Sequence, residues 1–462
     1  VRAFDDGLGF RYEVPKQDGL DKVSIVRELT EFNIGQETIS WTIPARMYNR
    51  YEYLYAKKPV GALQMGHTPA TFKKESGTHL SIHEAALVDF SAMSLQQQRE
   101  GVLQADLTPH PDGIKVKTQT PFKTPWRTIQ IADDAVGLIN SDLILNLNEP
   151  NKLGDVSWFT PGKYAGIWWE QHIREGTWGN TDGEINHHAA TTEATKAKMD
   201  FAAKHGFSGV LVEGWNVGWD GDWFNNGDVF SFTETYPDFD IGAVSAYGRE
   251  VGVRLIGHHE TSGNITNYES QLEDAMDLME KHDVRVIKSG YVADAGNIKR
   301  VDENGIAHYE YHDSQAVVDH HMKVVKLAAE HKIAMNPHEP VKDTGLRRTY
   351  PNWVSREGAR GQEFNAWGVP PNGPDHVLDL LYTRMLSGPM DYTAGAFDLR
   401  PSEQPPVADD LGRNDPRSRI EHTLAKELSL FVAIYSPIQM VMDLERNYEA
   451  RPEAFQFIKD VP

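Results

Sequence analysis

The chain has 462 residues, 40% of them hydrophobic and 24% charged, a formal net charge of −21 and no cysteine. That length exceeds one ordinary core and predicts two domains. The charge argues against nucleic acid, whose phosphates it would repel, and against a basic membrane-binding face; lack of cysteine removes disulfides, thiolate zinc sites and a cysteine nucleophile together.

Residues 1–155 read as β-rich. Alternating runs such as Glu37-Thr-Ile-Ser-Trp-Thr-Ile and Gly113-Ile-Lys-Val-Lys-Thr-Gln-Thr lie between Gly, Pro and Asp turn signals, which predicts an antiparallel sandwich. Residues 146–155 read as a linker into a second domain, 156–462. There, eight short apolar runs alternate with helical patterns, at 164–169, 209–215, 253–260, 284–290, 333–339, 353–357, 390–393 and 438–443. The helices are expected over 194–205, 241–251, 268–282, 315–332 and 423–435, with a last one after 443. Eight strands with helices between them predict a (β/α)8 barrel; a doubly wound sheet is the rival and usually has fewer strands. The longest apolar stretch, 428–442, is broken by Pro437 and too short to span a bilayer, so no membrane insertion is expected. The pattern at 455–462 reads as an element still in progress, and the chain is expected to be part of a longer one.

Most of the apolar runs end in a carboxylate or a histidine. Gly257-His-His-Glu260 ends the third, Asn336-Pro-His-Glu339 the fifth, and Glu357-Gly-Ala-Arg-Gly-Gln-Glu363 follows the sixth. In a barrel those ends face one cavity. Glutamates converging there would repel one another unless some are protonated or a cation sits among them. Oxygen ligands without cysteine favour Ca²⁺, and no HExxH spacing supports zinc. His258 and His338 precede strand-end glutamates and suit a hydroxyl-rich ligand, whereas His187-His188 and His320-His321 read as surface or packing. Trp168, Trp169, Trp215, Trp219 and Trp223 crowd the same ends and offer packing or a platform for a sugar face.

At these residues the chain resembles glycoside hydrolase family 97. The resemblance is carried by Ile82-His-Glu-Ala-Ala-Leu87, Thr124-Pro-Trp-Arg-Thr128, Val212-Glu-Gly-Trp-Asn216, Gly257-His-His-Glu260, Ile287-Lys-Ser-Gly-Tyr291, His338-Glu339, Arg348-Thr-Tyr-Pro-Asn352, Glu357-Gly-Ala-Arg-Gly-Gln-Glu363 and Gly388-Pro-Met-Asp-Tyr392. It implies an N-terminal β-super-sandwich whose start is missing here, a catalytic (β/α)8 TIM barrel, and a C-terminal β-domain that is absent. It implies Glu363 as general acid, Glu339 as base and Glu260 as the residue orienting the attacking water. By the same likeness Glu84, Glu339, Glu357 and Glu363 would hold Ca²⁺, while His258, His259, His338, Lys288 and Trp215 would contact sugar. An exported, periplasmic home is implied as well.

Retaining members of that family carry an aspartate nucleophile at the end of the fourth strand. Here the strand ends at Gly290, which cannot form a glycosyl ester. The expectation is an exo-acting, inverting α-glucosidase acting on maltooligosaccharides, with a base-activated water attacking from the opposite face and acid and base about 6.5–9.5 Å apart. The alternatives are a retaining α-galactosidase, for which Asp294 is the nearest following carboxylate, and a carbohydrate-binding barrel without catalysis.

Overall fold

A computed structural model describes residues 1–180, 187–400 and 419–462. The N-terminal part is built mainly from two antiparallel sheets, with two further two-stranded pairs. The larger has seven strands and is centred on His79–Ala85 paired with Trp126–Ala132, a register that sets Glu84 opposite Arg127. The smaller has four strands and is built around Met93–Arg99 and Val102–Leu107. Inward-facing Phe72, Ile82, Leu95, Leu103 and Leu107 are buried, as a sandwich requires.

From residue 162 the pattern becomes parallel. Six strands pair side by side in the order Ala334–Pro337, Val286–Gly290, Arg254–Glu260, Gly209–Val212, Gly162–Ile167, Ile438–Val441. Their residues are almost continuously buried because helices cover the outer face. The helices begin where capping chemistry allows. The side chains of Thr191, Asp240 and Asn264 accept from Ala194 N, Ala243 N and Asn267 N respectively, each in the first turn of its own helix. Gly206 and Gly252 end two of the helices in the left-handed conformation.

The predicted sixth and seventh strands are not regular strands. Residues 353–357 follow the fifth strand through Met335 N to Asn352 O, Val354 N to Met335 O and Glu357 N to Pro337 O. Residues 390–393 continue the circuit through Asp391 N to Arg356 O and Met390 N to Tyr435 O. The ring of eight positions is kept, but buried side chains replace ladder bonds on this side. Arg384 donates to the carbonyls of Arg356, Glu357, Gly388 and Pro389.

The two parts share one contiguous hydrophobic core, which runs from Phe72 and Leu95 to Val212 and Val441. A buried charged chain crosses beside it. Arg127 pairs with Glu28 and, at 2.8 Å, with Glu84, which in turn pairs with Lys342 at 2.8 Å. Among the described residues no helix is long and apolar enough to cross a membrane. Because Arg127 is fully buried, Arg127→Met strands carboxylate charge; it is expected to cost about 3–5 kcal/mol, read as a lowered urea midpoint.

Candidate active site

The strand ends open into a cavity of about 500 Å³. Glu213, His258, Glu260, Lys288, Gly290, His338, Glu339 and Glu363 line it from the barrel, and Tyr48, Asn49, Arg50 and Glu52 from the sandwich. Glu260, Glu339 and Glu363 therefore meet in one place, as the strand-end pattern requires. Glu357 lies just behind, 2% exposed.

Three sequence readings are corrected. Glu84 is outside the cavity: one oxygen accepts from Arg127, and the other from Met93 N at 2.7 Å and sits 2.8 Å from the Lys342 ammonium. The acidic group that the sandwich sends to the cluster is Glu52, from the loop between two tyrosines. His259 points away from the cavity because neighbours on a strand face opposite sides; its Nδ1 lies 3.0 Å from the Tyr268 hydroxyl. Trp215 is also behind the wall, where its indole donates to the His258 carbonyl at 2.7 Å. The wall itself is Trp168, Trp178, Trp219 and Trp223, with Trp178 stacked on Trp219 at 6.2 Å and Trp219 on His258 at 5.6 Å.

Glu213 was legible by the rule that found Glu260, since it follows the apolar run of the second strand. It receives the indole N–H of Trp178 at 3.0 Å and the Lys288 ammonium at 2.8 Å. Burial works against its charge, but His258 and Lys288 hold it well below the usual carboxylate range. Lys288 is the lasting partner, because burial pulls His258 down to about 4.

His338 is the reverse case. Burial and Lys288 oppose its charge, yet Glu357 at 3.4 Å and Asp391 at 2.9 Å push it up to about 10. Asp391 also accepts from Asn336 at 2.6 Å and from the Tyr164 hydroxyl at 3.1 Å. Glu357 pays for burial through His338 and stays below the ordinary range. The remaining carboxyls are pushed up by burial and by one another. Glu339 raises Glu260, Glu357 and Glu52 raise Glu339, Glu357 raises Glu363, and Arg50 only partly offsets the shift at Glu52.

Glu52, Glu357 and Glu363 each offer an oxygen within 4.8 Å of the others, and Glu52 Oε1 is buried without a hydrogen-bond partner. An oxygen-only donor set of this kind fits a hard divalent cation. On the other side of the cavity, Glu260 Oε1 is fixed by Ser262 N at 2.6 Å and Val292 N at 3.1 Å. Its Oε2 would stand 1.8 Å from a Cβ added at Gly290. Glu339 Oε2 accepts from Tyr291 N at 3.0 Å, so these two carboxyls flank the Gly290 position. Asp294 lies further along the cavity lining.

Acidic pairs and an aromatic wall at the C-terminal face of a barrel define a site for cleaving glycosidic bonds. The chain belongs to glycoside hydrolase family 97. The family model Glycosyl-hydrolase 97 N-terminal matches residues 1–150, and Glycoside hydrolase 97 matches residues 168–359. A solved family 97 enzyme from Pseudoalteromonas sp. strain K8, in complex with acarbose, is 61% identical, with TM-score 0.95 over 100% of this chain and 68% of that one. A variant of that enzyme in complex with panose matches equally, at 61% identity and TM-score 0.95 over the same shares, 100% and 68%. The retaining alpha-galactosidase of Bacteroides thetaiotaomicron is 24% identical over 503 residues, covering 100% of this chain and 68% of the relative. A probable retaining alpha-galactosidase of Streptomyces bingchenggensis is 26% identical, and the chain spans 62% of its length.

Gly290→Ala tests the crowding. The backbone at 290 tolerates a side chain, so folding is expected to survive, while the added methyl displaces the Glu260 carboxylate. Turnover is expected to fall about 100-fold with little change in thermal midpoint.

Proposed function

We propose that the chain is an exo-acting α-glucosidase that hydrolyses α-glucosidic bonds of maltooligosaccharides with inversion. The observation that carries this reading is the Glu260 carboxylate held in the space beside Gly290, where a side-chain nucleophile would otherwise stand. Acarbose and panose, bound by the Pseudoalteromonas enzyme, support a glucoside rather than a galactoside. The two curated relatives named above are a retaining and a probable retaining alpha-galactosidase, which favours the second reading, but that route needs a carboxylate at the anomeric carbon.

In the proposed reaction Glu363 gives its proton to the glycosidic oxygen as the bond to C1 breaks. Burial and its acidic neighbours keep that proton on Glu363 in the resting site, raised to about 8. Glu339 and Glu260 hold a water on the opposite face, and Glu339 takes its proton as the water oxygen bonds to C1. The products are the shortened saccharide and β-glucose. Lys288 and His338 keep the pocket's cationic side fixed through Glu213, Glu357 and Asp391. The wall of Trp168, Trp178, Trp219 and Trp223 offers a face for the sugar ring and excludes water.

Glu52, Glu357 and Glu363 would hold Ca²⁺, with Glu339 beside them. When bound, the ion would supply positive charge that lets Glu52, Glu339 and Glu357 ionise together while Glu363 keeps its acid proton. An exported setting, where millimolar Ca²⁺ is at hand, suits this composition.

The first product seen by NMR is expected to be β-glucose, from an α-glucoside cleaved far faster than the matching α-galactoside. Initial α-glucose would overturn inversion. A chelator should abolish activity and Ca²⁺ restore it.

A pH dependence follows from the same cluster. Glu52, Glu260 and Glu363 are raised to about 8 and Glu339 to about 7, above the unfolded value of about 4.5. The folded state therefore binds more protons than the unfolded chain between those values. The contribution to stability is full below about pH 4.5 and is lost as pH rises through 7 to 8. Without Ca²⁺ the thermal midpoint is expected to fall from pH 6 to pH 9, and saturating Ca²⁺ should flatten the slope by releasing the protons of Glu52 and Glu339.

A further inference from the structure

The segment just after Glu339 is held mainly by the sandwich. Lys342 Nζ lies 2.8 Å from Glu84 Oε1 and donates to Thr68 Oγ1 at 2.6 Å and to the Met93 carbonyl. His83 Nε2 donates to the Asp343 carbonyl at 2.7 Å. The Thr344 carbonyl accepts from Ala86 N at 3.0 Å and from Asn148 Nδ2 at 2.8 Å, and Leu87 N donates to the Thr344 hydroxyl at 3.2 Å. From the barrel, Arg356 Nη1 donates to the Val341 and Lys342 carbonyls at 2.9 and 3.1 Å.

Upstream of this clamp Glu339 has φ +43°, a left-handed conformation that strains a non-glycine residue and persists only where the surroundings impose it. Glu84, for its part, cannot swing. It is pinned by Arg127 and by Met93 N, and it is 0% exposed. A buried ion pair contributes little stability beyond a well-packed apolar pair, but it does fix a direction.

We propose that Glu84 and Lys342 are positioning residues: Glu84, from the sandwich, holds Lys342, and the pair sets the backbone of residues 339–344 and, through it, the aim of the Glu339 carboxylate. The proposal rests on reading Glu339 as the base. Neither residue touches the sugar or the attacking water. Their effect reaches the reaction along the six residues 339–344.

The experiment is a double-mutant cycle on the full chain with an aryl α-glucoside, using Lys342→Met, Glu339→Gln and the double variant. Lys342→Met alone is expected to lower kcat about 10- to 100-fold, the cost of a misplacement near 1 Å, with KM within about twofold. In the Glu339→Gln background the same change should lower kcat less than about twofold, because the group it aims is already lost. An equal loss in both backgrounds would overturn the proposal and leave Lys342 a folding residue. An unchanged kcat in Lys342→Met would overturn it too. A Glu339→Gln enzyme of full activity would instead withdraw the base reading, and this proposal with it. If Lys342→Met does not give folded protein by circular dichroism, Glu84→Gln, which keeps an acceptor for the ammonium, goes through the same cycle with the same criteria.

Discussion

Six glutamates crowd one buried cavity, five lining it and Glu357 just behind, and their mutual repulsion is the constraint that everything around them answers. Glu52, Glu260, Glu339 and Glu357 are each less than 10% exposed, and Glu363 is only half-buried by the same measure. Like charges brought out of water together cost more than a single contact returns, so they cannot all ionise unaided. The fold separates them by environment. Glu357 is ionised because His338 lies against it, and His338 stays charged because Asp391, backed by Asn336 and Tyr164, lies on its other side. Glu213 is ionised by Lys288. The others, with burial on all sides and too little positive charge, are pushed toward the neutral form. Proton donors and acceptors thus coexist within one pocket, and that is what acid/base chemistry at neutral pH needs.

Much of this was readable in the chain. Long helices showed their period, and the strand at 253–260 ended in Glu260 as expected. Glu213 obeyed the same strand-end rule and was passed over. His259 was misplaced because the alternation of faces was not applied to it, although Lys288 and His258 on neighbouring strands pair in register and share the cavity. The sixth and seventh barrel positions were read as strands and are not regular ones, for a physical reason. Their backbone groups are satisfied by the Arg384 guanidinium and by single bonds to neighbouring segments, an arrangement with no period. Glu52 gave no local sign at all. It lies in a loop, and only the folded chain brings that loop to the barrel. Glu84 drew attention for a distinctive surrounding string, and that string turns out to encode an ion pair between the domains rather than a place in the cavity.

The sandwich is therefore part of the site rather than an appendage to it. Arg50 pairs with Glu52 and donates to the Ala293 carbonyl at 2.6 Å, and Ala295 N donates to the Tyr48 carbonyl at 3.0 Å. These bonds sew the loop carrying Glu52 to the loop after the fourth barrel strand. Arg50 adopts φ +61°, so the loop is bent to reach that position. Together with the shared core, this makes the relative placement of the two parts a condition for assembling the carboxylate cluster.

The volume beside Gly290 shows why a change of mechanism cannot be a matter of one residue. Any β-carbon at 290 would collide with Glu260 Oε2, and Glu260 is itself tied by two backbone N–H groups, from Ser262 and Val292. A nucleophilic aspartate at 290 and a water-holding glutamate at 260 would claim the same space. A chain that uses one has to give up, or turn aside, the other. The two positions are opposed neighbours in the register of the third and fourth strands, Glu260 facing Gly290. The choice between a covalent attacker and a held water is thereby reduced to a steric exclusion between two side chains on adjacent strands, with the rest of the acidic cluster, the aromatic wall and the clamped Glu339 segment compatible with either.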